Sequence, residues 1–109
     1  MAQRFAEVDV QEAADRLAEY RVVDVREPDE FDGPLGHVAG SELLPLAQVA
    51  HGADALRGRS LLLVCRSGRR SAKACELLLE RGVTDVTNMI GGMLAWNEAG
   101  LEVEGRGPE

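Results

Sequence analysis

Residues Leu61-Leu62-Leu63-Val64 form an uninterrupted apolar run that ends on Cys65. A strand with one wet face alternates apolar and polar side chains. A run that is apolar at every position suits a strand covered on both faces, as in a parallel sheet. After the cysteine come polar residues and a glycine. From Arg69 to Glu80 the apolar positions Ala72, Cys75, Leu78 and Leu79 then recur at helical spacing until Gly82 stops them.

The rest of the chain alternates in the same way. Phe5 to Val8 reads as a short strand. Asp9 with Glu12 three residues on is a capping-box pattern, and Val10, Ala13, Ala14 and Leu17 predict a helix over about residues 10–19. Arg21 to Val25 is β-branched and predicts a strand. Pro28 to Gly40 holds two prolines and three glycines, so it is expected to be mostly loop, with one helical turn at Asp29–Asp32. Glu42 to Leu44 is a weak strand ended by Pro45. Leu46 to Leu56 carries one or two short helical turns broken at Gly52. Asp85 to Met89 is a further strand, and Met93 to Glu98 a short helix after the Gly91-Gly92 pair. Residues 101–109 are polar and bear Gly and Pro, and are expected to be a loose tail. Strands alternating with helices predict one α/β domain over residues 1–109, with its core over about 5–100. The expected architecture is a mainly parallel central sheet flanked by helices on both faces.

Composition excludes several classes. A chain of 109 residues supports one modest core and leaves no room for a second ordinary domain. The 45% apolar share is too high for a disordered tail. A net charge of −7 argues against nucleic acid as a partner. No apolar stretch approaches the ~20 residues of a membrane helix, so no membrane partner is expected. The start, MAQRFAEVDV, lacks the apolar segment of a secretory signal. Two cysteines make neither a disulfide framework nor a zinc quartet. A cytoplasmic chain with free thiols, and no metal or other cofactor, is expected.

Charge is unevenly spread. From Ala55 to Cys75 there is no acidic residue, and six of the 12 basic residues lie there: Arg57, Arg59, Arg66, Arg69, Arg70 and Lys73. That window is +6 and the remainder −13. It brackets Cys65, at the carboxyl end of the apolar strand, where ligands of α/β folds gather. The following helix aims its positive end at this loop. Gly68 permits a tight turn in which several amides face inward. A cysteine after an apolar run is ordinarily a buried structural one. Three arginines, two serines and a glycine in the next six residues point instead to a nucleophilic thiolate beside a site for a small dianion. Cys75 lies on the apolar face of the helix and is expected to pack in the core. His37 and His51 sit in glycine-containing loops and carry no local signature of a cysteine partner.

At this point the residues resemble a known family. Cys65-Arg66-Ser67-Gly68-Arg69-Arg70-Ser71 resembles the active-site loop of single-domain rhodaneses, the thiosulfate sulfurtransferases. Asp24 to Phe31 resembles the family's early strand-and-turn signature, Gly36 to Ser41 its glycine-histidine turn, and Gly91 to Trp96 its closing motif. The four blocks occur in family order over about residues 22–97. The resemblance implies that Cys65 takes a sulfane sulfur from a small anionic donor, becomes a persulfide, and passes the sulfur on. The acceptor is cyanide or a thiol, the latter on a small molecule or a thioredoxin-like protein. Carried over by position, Gly68 shapes the loop, and the amides of Arg66 through Ser71, Ser67 included, hold the sulfur. Arg70 binds the donor's charged end, and Arg66 and Arg69 tune substrate charge. Asp24 and Arg26 support the loop, and Trp96 packs in the core.

This chain departs from the family pattern at Asp32-Gly33-Pro34-Leu35, a small insertion, and at Ala39, where proline is usual. Three alternatives share the fold. A persulfide carrier needs the same cysteine and cradle. A cysteine phosphatase or arsenate reductase wants arginine one position later than Arg70, where Ser71 stands. A silent interaction domain does not need an intact Cys65. Mercaptopyruvate sulfurtransferases have loops poorer in arginine; three guanidiniums favour a dianion such as thiosulfate.

Overall fold

The computed structural model describes residues 5–108. The first four residues and Glu109, part of the span expected for the domain, lie outside the described residues. Five strands, β1 (Ala6–Val8), β2 (Arg21–Asp24), β3 (Glu42–Leu43), β4 (Leu61–Val64) and β5 (Val86–Met89), pair in the order β1-β5-β4-β2-β3. Every pairing is parallel. The helices are α1 (Val10–Asp15), α2 (Pro28–Phe31), α3 (Val49–Gly52), α4 (Arg69–Glu80) and α5 (Gly92–Glu98).

The apolar run is the middle strand, buried at all four positions. Alternation splits its side chains between two cores. Leu61, Leu63 and Cys65 face a cluster with Val23, Val49, Ala74 and Leu78, on the α3 and α4 side. Leu62 and Val64 face the opposite cluster with Val22, Ala13, Met93 and Trp96, on the α1 and α5 side. Burying one such leucine stabilises the fold by about 1.5–3 kcal/mol. After β2 the chain steps outward to β3; after β4 it steps the other way to β5. The carboxyl ends of β2 and β4, adjacent through the Asp24–Val64 register, are therefore the point where the strand order reverses.

Several expected elements shift. The helix expected over 10–19 is α-helical only to Asp15 and closes in a tighter 3₁₀ turn over Leu17–Glu19, as helix ends commonly do. Asp9 does cap it, accepting from the Glu12 amide at 2.8 Å. The α-helix expected to break at Gly52 ends there: with φ of −89°, Gly52 closes α3 and leads straight into a 3₁₀ turn over Ala53–Leu56. A Cβ at this position would press on Leu44 Cδ2 at 3.2 Å.

The tail expected to be loose runs back over the domain. Leu101 and Val103 pack on the second core. Glu104 exchanges two backbone hydrogen bonds with His37, and the Gly107 amide donates to Gly33 at 2.9 Å. Glu102 offers its carbonyl to Trp96 Nε1 at 2.9 Å. Backbone pairing with the 33–37 loop, invisible in composition, ties the segment down.

Candidate active site

Cys65 follows β4 immediately and is buried at the floor of the loop leading into α4. Two donors reach its Sγ: the Gly68 amide at 3.1 Å and the Ser71 hydroxyl at 3.3 Å. The cradle expected from the amides of Arg66 through Ser71 thus meets the resting sulfur through one amide and one hydroxyl. Gly68 is the N-cap of α4 at φ +97°, a left-handed conformation open to glycine. A Cβ there would also press on Gly91 N and Met89 O at 3.1 and 3.3 Å.

A second helix end holds the loop from behind. The amides of Met93 and Leu94, in the first turn of α5, donate to the carbonyls of Cys65 and Arg66 at 2.9 and 3.0 Å. In planar trans peptides this turns the amides of Arg66 and Ser67 away from α5. Gly92 makes the approach possible: a Cβ on it would lie 2.4 Å from the Cys65 carbonyl oxygen. The Gly91-Gly92 pair, which in the sequence only precedes a short helix, therefore helps to hold the loop.

Asn88 was not anticipated. It is buried in β5, and its amide nitrogen donates to Gly68 O at 3.2 Å and Glu7 Oε2 at 3.1 Å. That fixes its oxygen toward Ser71, whose hydroxyl lies 2.5 Å away. Ser71 has one hydrogen to share between Asn88 and Cys65. The available signal was an asparagine, a residue depleted in strands, within the strand Val86–Met89.

The arginines separate. Arg66 and Arg69 are exposed and make no ion pair among the described residues. Ser67 is also exposed. Arg70 forks onto Glu30 of α2, with Nη1–Oε1 at 2.7 Å and Nη2–Oε2 at 2.8 Å. This contact holds the Glu30 carboxyl at about 2, well below its ordinary value, against the opposing effect of partial burial. The Glu30 carboxylate in turn raises Arg70 further. Glu30 was missed; its signal was the Glu27/Glu30 capping box of α2.

Asp24 and Arg26 make no hydrogen bond or ion pair to the loop among the described residues. They form a buried ion pair at 2.7 Å, and Arg26 also donates to the carbonyls of Glu30 and Gly36 at 3.1 and 2.8 Å. They secure α2, and α2 presents Glu30 to Arg70. His37 stacks on Phe31 at 3.7 Å and places Nδ1 2.8 Å from the Phe31 carbonyl. Trp96 is in the core. Cys75 is buried on α4, where burial above all, then Glu7 and Glu76, pushes its thiol up to about 12.

The basic island is two clusters. Arg57 and Arg59 line a cavity of about 250 Å³ at the amino ends of β4 and β5, the end of the sheet away from Cys65. Arg57 is occupied there by Asp54 and the carbonyls of Arg81 and Gly82. Of the island's arginines, Arg66, Arg69 and Arg70 are the ones at the Cys65 end of the sheet. Among the described residues no His, Cys, Asp and Glu cluster could hold a metal ion, and no helix is long and apolar enough to cross a membrane.

A family model described as the rhodanese-like domain matches residues 9–99. The chain belongs to the rhodanese-like domain family. It is 32% identical over 101 residues to a protein of Allochromatium vinosum named sulfurtransferase, covering 89% of this chain and 92% of that one. To the thiosulfate sulfurtransferase GlpE of Pseudoalteromonas translucida it is 35% identical over 79 residues, 72% of this chain and 73% of the relative. The crystal structure of a rhodanese-related protein from Thermoplasma volcanium superposes with a TM-score of 0.85 at 28% identity, covering 93% of this chain and 99% of that one. The chain spans 60% of the length of one further curated relative and 44% of another. The segment from Cys65 to Ser71 described above lies inside the matched residues of this rhodanese-like domain.

Proposed function

We propose that this rhodanese-like domain is a sulfurtransferase. It moves a sulfane sulfur from an anionic donor of the thiosulfate type, through a persulfide on Cys65, to a thiol or cyanide. The observation that carries the reading is the cysteine at the carboxyl end of β4, its Sγ facing the Gly68 amide and the Ser71 hydroxyl at the start of α4. These two groups can donate hydrogen bonds to the sulfur of a thiolate or of a persulfide formed on it. The sulfurtransferase names of the Allochromatium and Pseudoalteromonas relatives support the same reading.

The Cys65 thiolate attacks the outer sulfur of thiosulfate. A new S–S bond forms, the old one breaks, and sulfite leaves with the electron pair. The enzyme then carries a persulfide anion. A thiolate or cyanide attacks the terminal sulfur, giving an acceptor persulfide or thiocyanate and restoring the Cys65 thiolate. Each half is a nucleophilic displacement at sulfur with no change in total charge, and covalent catalysis splits the transfer between them. The thiol acceptor is a small molecule or a thioredoxin-like protein. Two unpaired thiols suit the reducing cytoplasm.

In this scheme Arg70 takes the donor's oxygens, Arg66 and Arg69 draw anions toward the loop, and Asp24 and Arg26 act through α2. Steady-state kinetics with thiosulfate and cyanide test it. Arg70→Ala should raise KM for thiosulfate roughly tenfold, below the cost of losing a fully sheltered charge contact because Arg70 is about a third exposed. Arg70→Lys should recover part of it, since a point charge lacks the planar fork. Unchanged thiosulfate kinetics in Arg70→Ala would place the anion elsewhere. No sulfur transfer by the parent chain would remove the function.

A further inference from the structure

Glu30 is a carboxylate set between the loop arginine Arg70 and the buried Asp24–Arg26 pair. It is gripped from two sides, by the Arg70 fork at 2.7 and 2.8 Å and by the Glu27 amide on Oε1 at 3.0 Å. It also lines, with Arg26, Pro34, Leu35 and Arg66, a cavity of about 200 Å³. Of the two guanidiniums in that cavity, Arg26 is already matched by Asp24. An entering anion therefore meets one unmatched cation, Arg66, and a carboxylate that already occupies the Arg70 fork.

We propose that Glu30 is an internal competitor for the donor. Its carboxylate holds Arg70 in the free protein, an oxyanion donor binds by displacing it, and Glu30 thereby sets the preference between sulfur donors with an oxyanion end and those without one. This rests on Arg70 as the donor's anion contact. The physical reasons are geometric and electrostatic. A guanidinium edge forks fully onto one pair of oxygens at a time, and a carboxylate presents the same pair as the oxygen end of thiosulfate. A negative charge beside a dianion is repulsive. The pair is partly solvated, with side-chain exposures of 27% for Glu30 and 36% for Arg70, so exchange does not require breaking a buried ion pair. The competitor stays charged at neutral pH, because Arg70 keeps its carboxyl near 2.

Glu30→Gln removes the charge and keeps an oxygen for the Glu27 amide, so the capping of α2 survives. Its KM for thiosulfate should fall about fivefold, while kcat/KM for hydroxyethyl persulfide, which gives up its terminal sulfur to the Cys65 thiolate and leaves as a thiolate without oxyanions, stays within about twofold. Combined with Arg70→Ala, the gain should vanish. A second arm avoids turnover: calorimetric titration of thiosulfate into Cys65→Ser, with and without Glu30→Gln, should show the same fivefold tightening. Thiosulfate binding that is unchanged, weakened or unmeasurable in both titrated variants overturns the competitor. So does an effect of the same size on hydroxyethyl persulfide. Tightening in the calorimeter without sulfur transfer by the parent chain would reject the sulfurtransferase reading and leave the competitor standing.

Discussion

Cys65 and Cys75 lie ten residues apart, both fully buried, both free and both in the same core cluster. Their surroundings differ in kind. Cys65 ends a strand and faces an amide and a hydroxyl. Cys75 sits inside α4 among apolar side chains, and burial keeps it protonated up to about 12. Burial alone therefore does not decide what a cysteine does. Under the proposed function, polar donors brought to the sulfur by a turn at Gly68 suit one thiol to chemistry; their absence around the other leaves a small apolar packing group.

Exchanging each thiol for a methyl sharpens the contrast most. Cys65→Ala should reduce sulfur transfer to background, measured by thiocyanate formation. Cys75→Ala should keep most of the transfer and lose on the order of 1 kcal/mol of stability in denaturant unfolding. A Cys75→Ala chain that is folded yet inactive would replace one working thiol with two.

Gly92→Ala tests the loop side alone. The added Cβ collides with the Cys65 and Arg66 carbonyls, at 2.4 and 2.5 Å, and the backbone sits at φ +57°. A destabilisation of about 1–3 kcal/mol is expected, with transfer lost beyond what the unfolded fraction explains. Alkylation of Cys75 in the folded fraction should stay as slow as in the parent chain. Full transfer by a folded Gly92→Ala chain would show that α5 does not shape the loop.

Acid gives the smallest effect. The Glu30 carboxyl is depressed to about 2 by Arg70, so its contribution to stability is present above its unfolded value of about 4.5 and is lost as pH falls toward 2. The stability difference between parent and Glu30→Gln, followed by thermal unfolding, should therefore exist at neutral pH and shrink across that window. The neutral Cys75 thiol does not titrate there. A difference that persists at pH 2 would mean that the pair contributes through shape and not charge.

Much of this contrast is legible in the sequence, because strand, loop and helix are local. The four apolar residues before Cys65, the glycine three after it, and the apolar spacing around Cys75 place both thiols correctly. Contacts between distant segments are not legible. Glu30 and Arg70 are 40 residues apart, and no local pattern says that α2 delivers a carboxylate to the loop. Arg57 and Arg66 look like neighbours in one basic island, yet β4 lies between them and carries their charges to opposite ends of the sheet. Asn88 reads as an imperfection in a strand until Gly68 and Ser71 are placed beside it.

The central claim is that sulfur is held on Cys65 and not on Cys75. Intact-mass analysis after thiosulfate exposure and removal of excess donor tests it directly. The parent chain and Cys75→Ala should each gain the mass of one sulfur atom, released by cyanide, and peptide mapping should put it on Cys65. Cys65→Ala should gain nothing. A sulfur atom retained by Cys65→Ala, or none gained by the parent chain, would contradict the account.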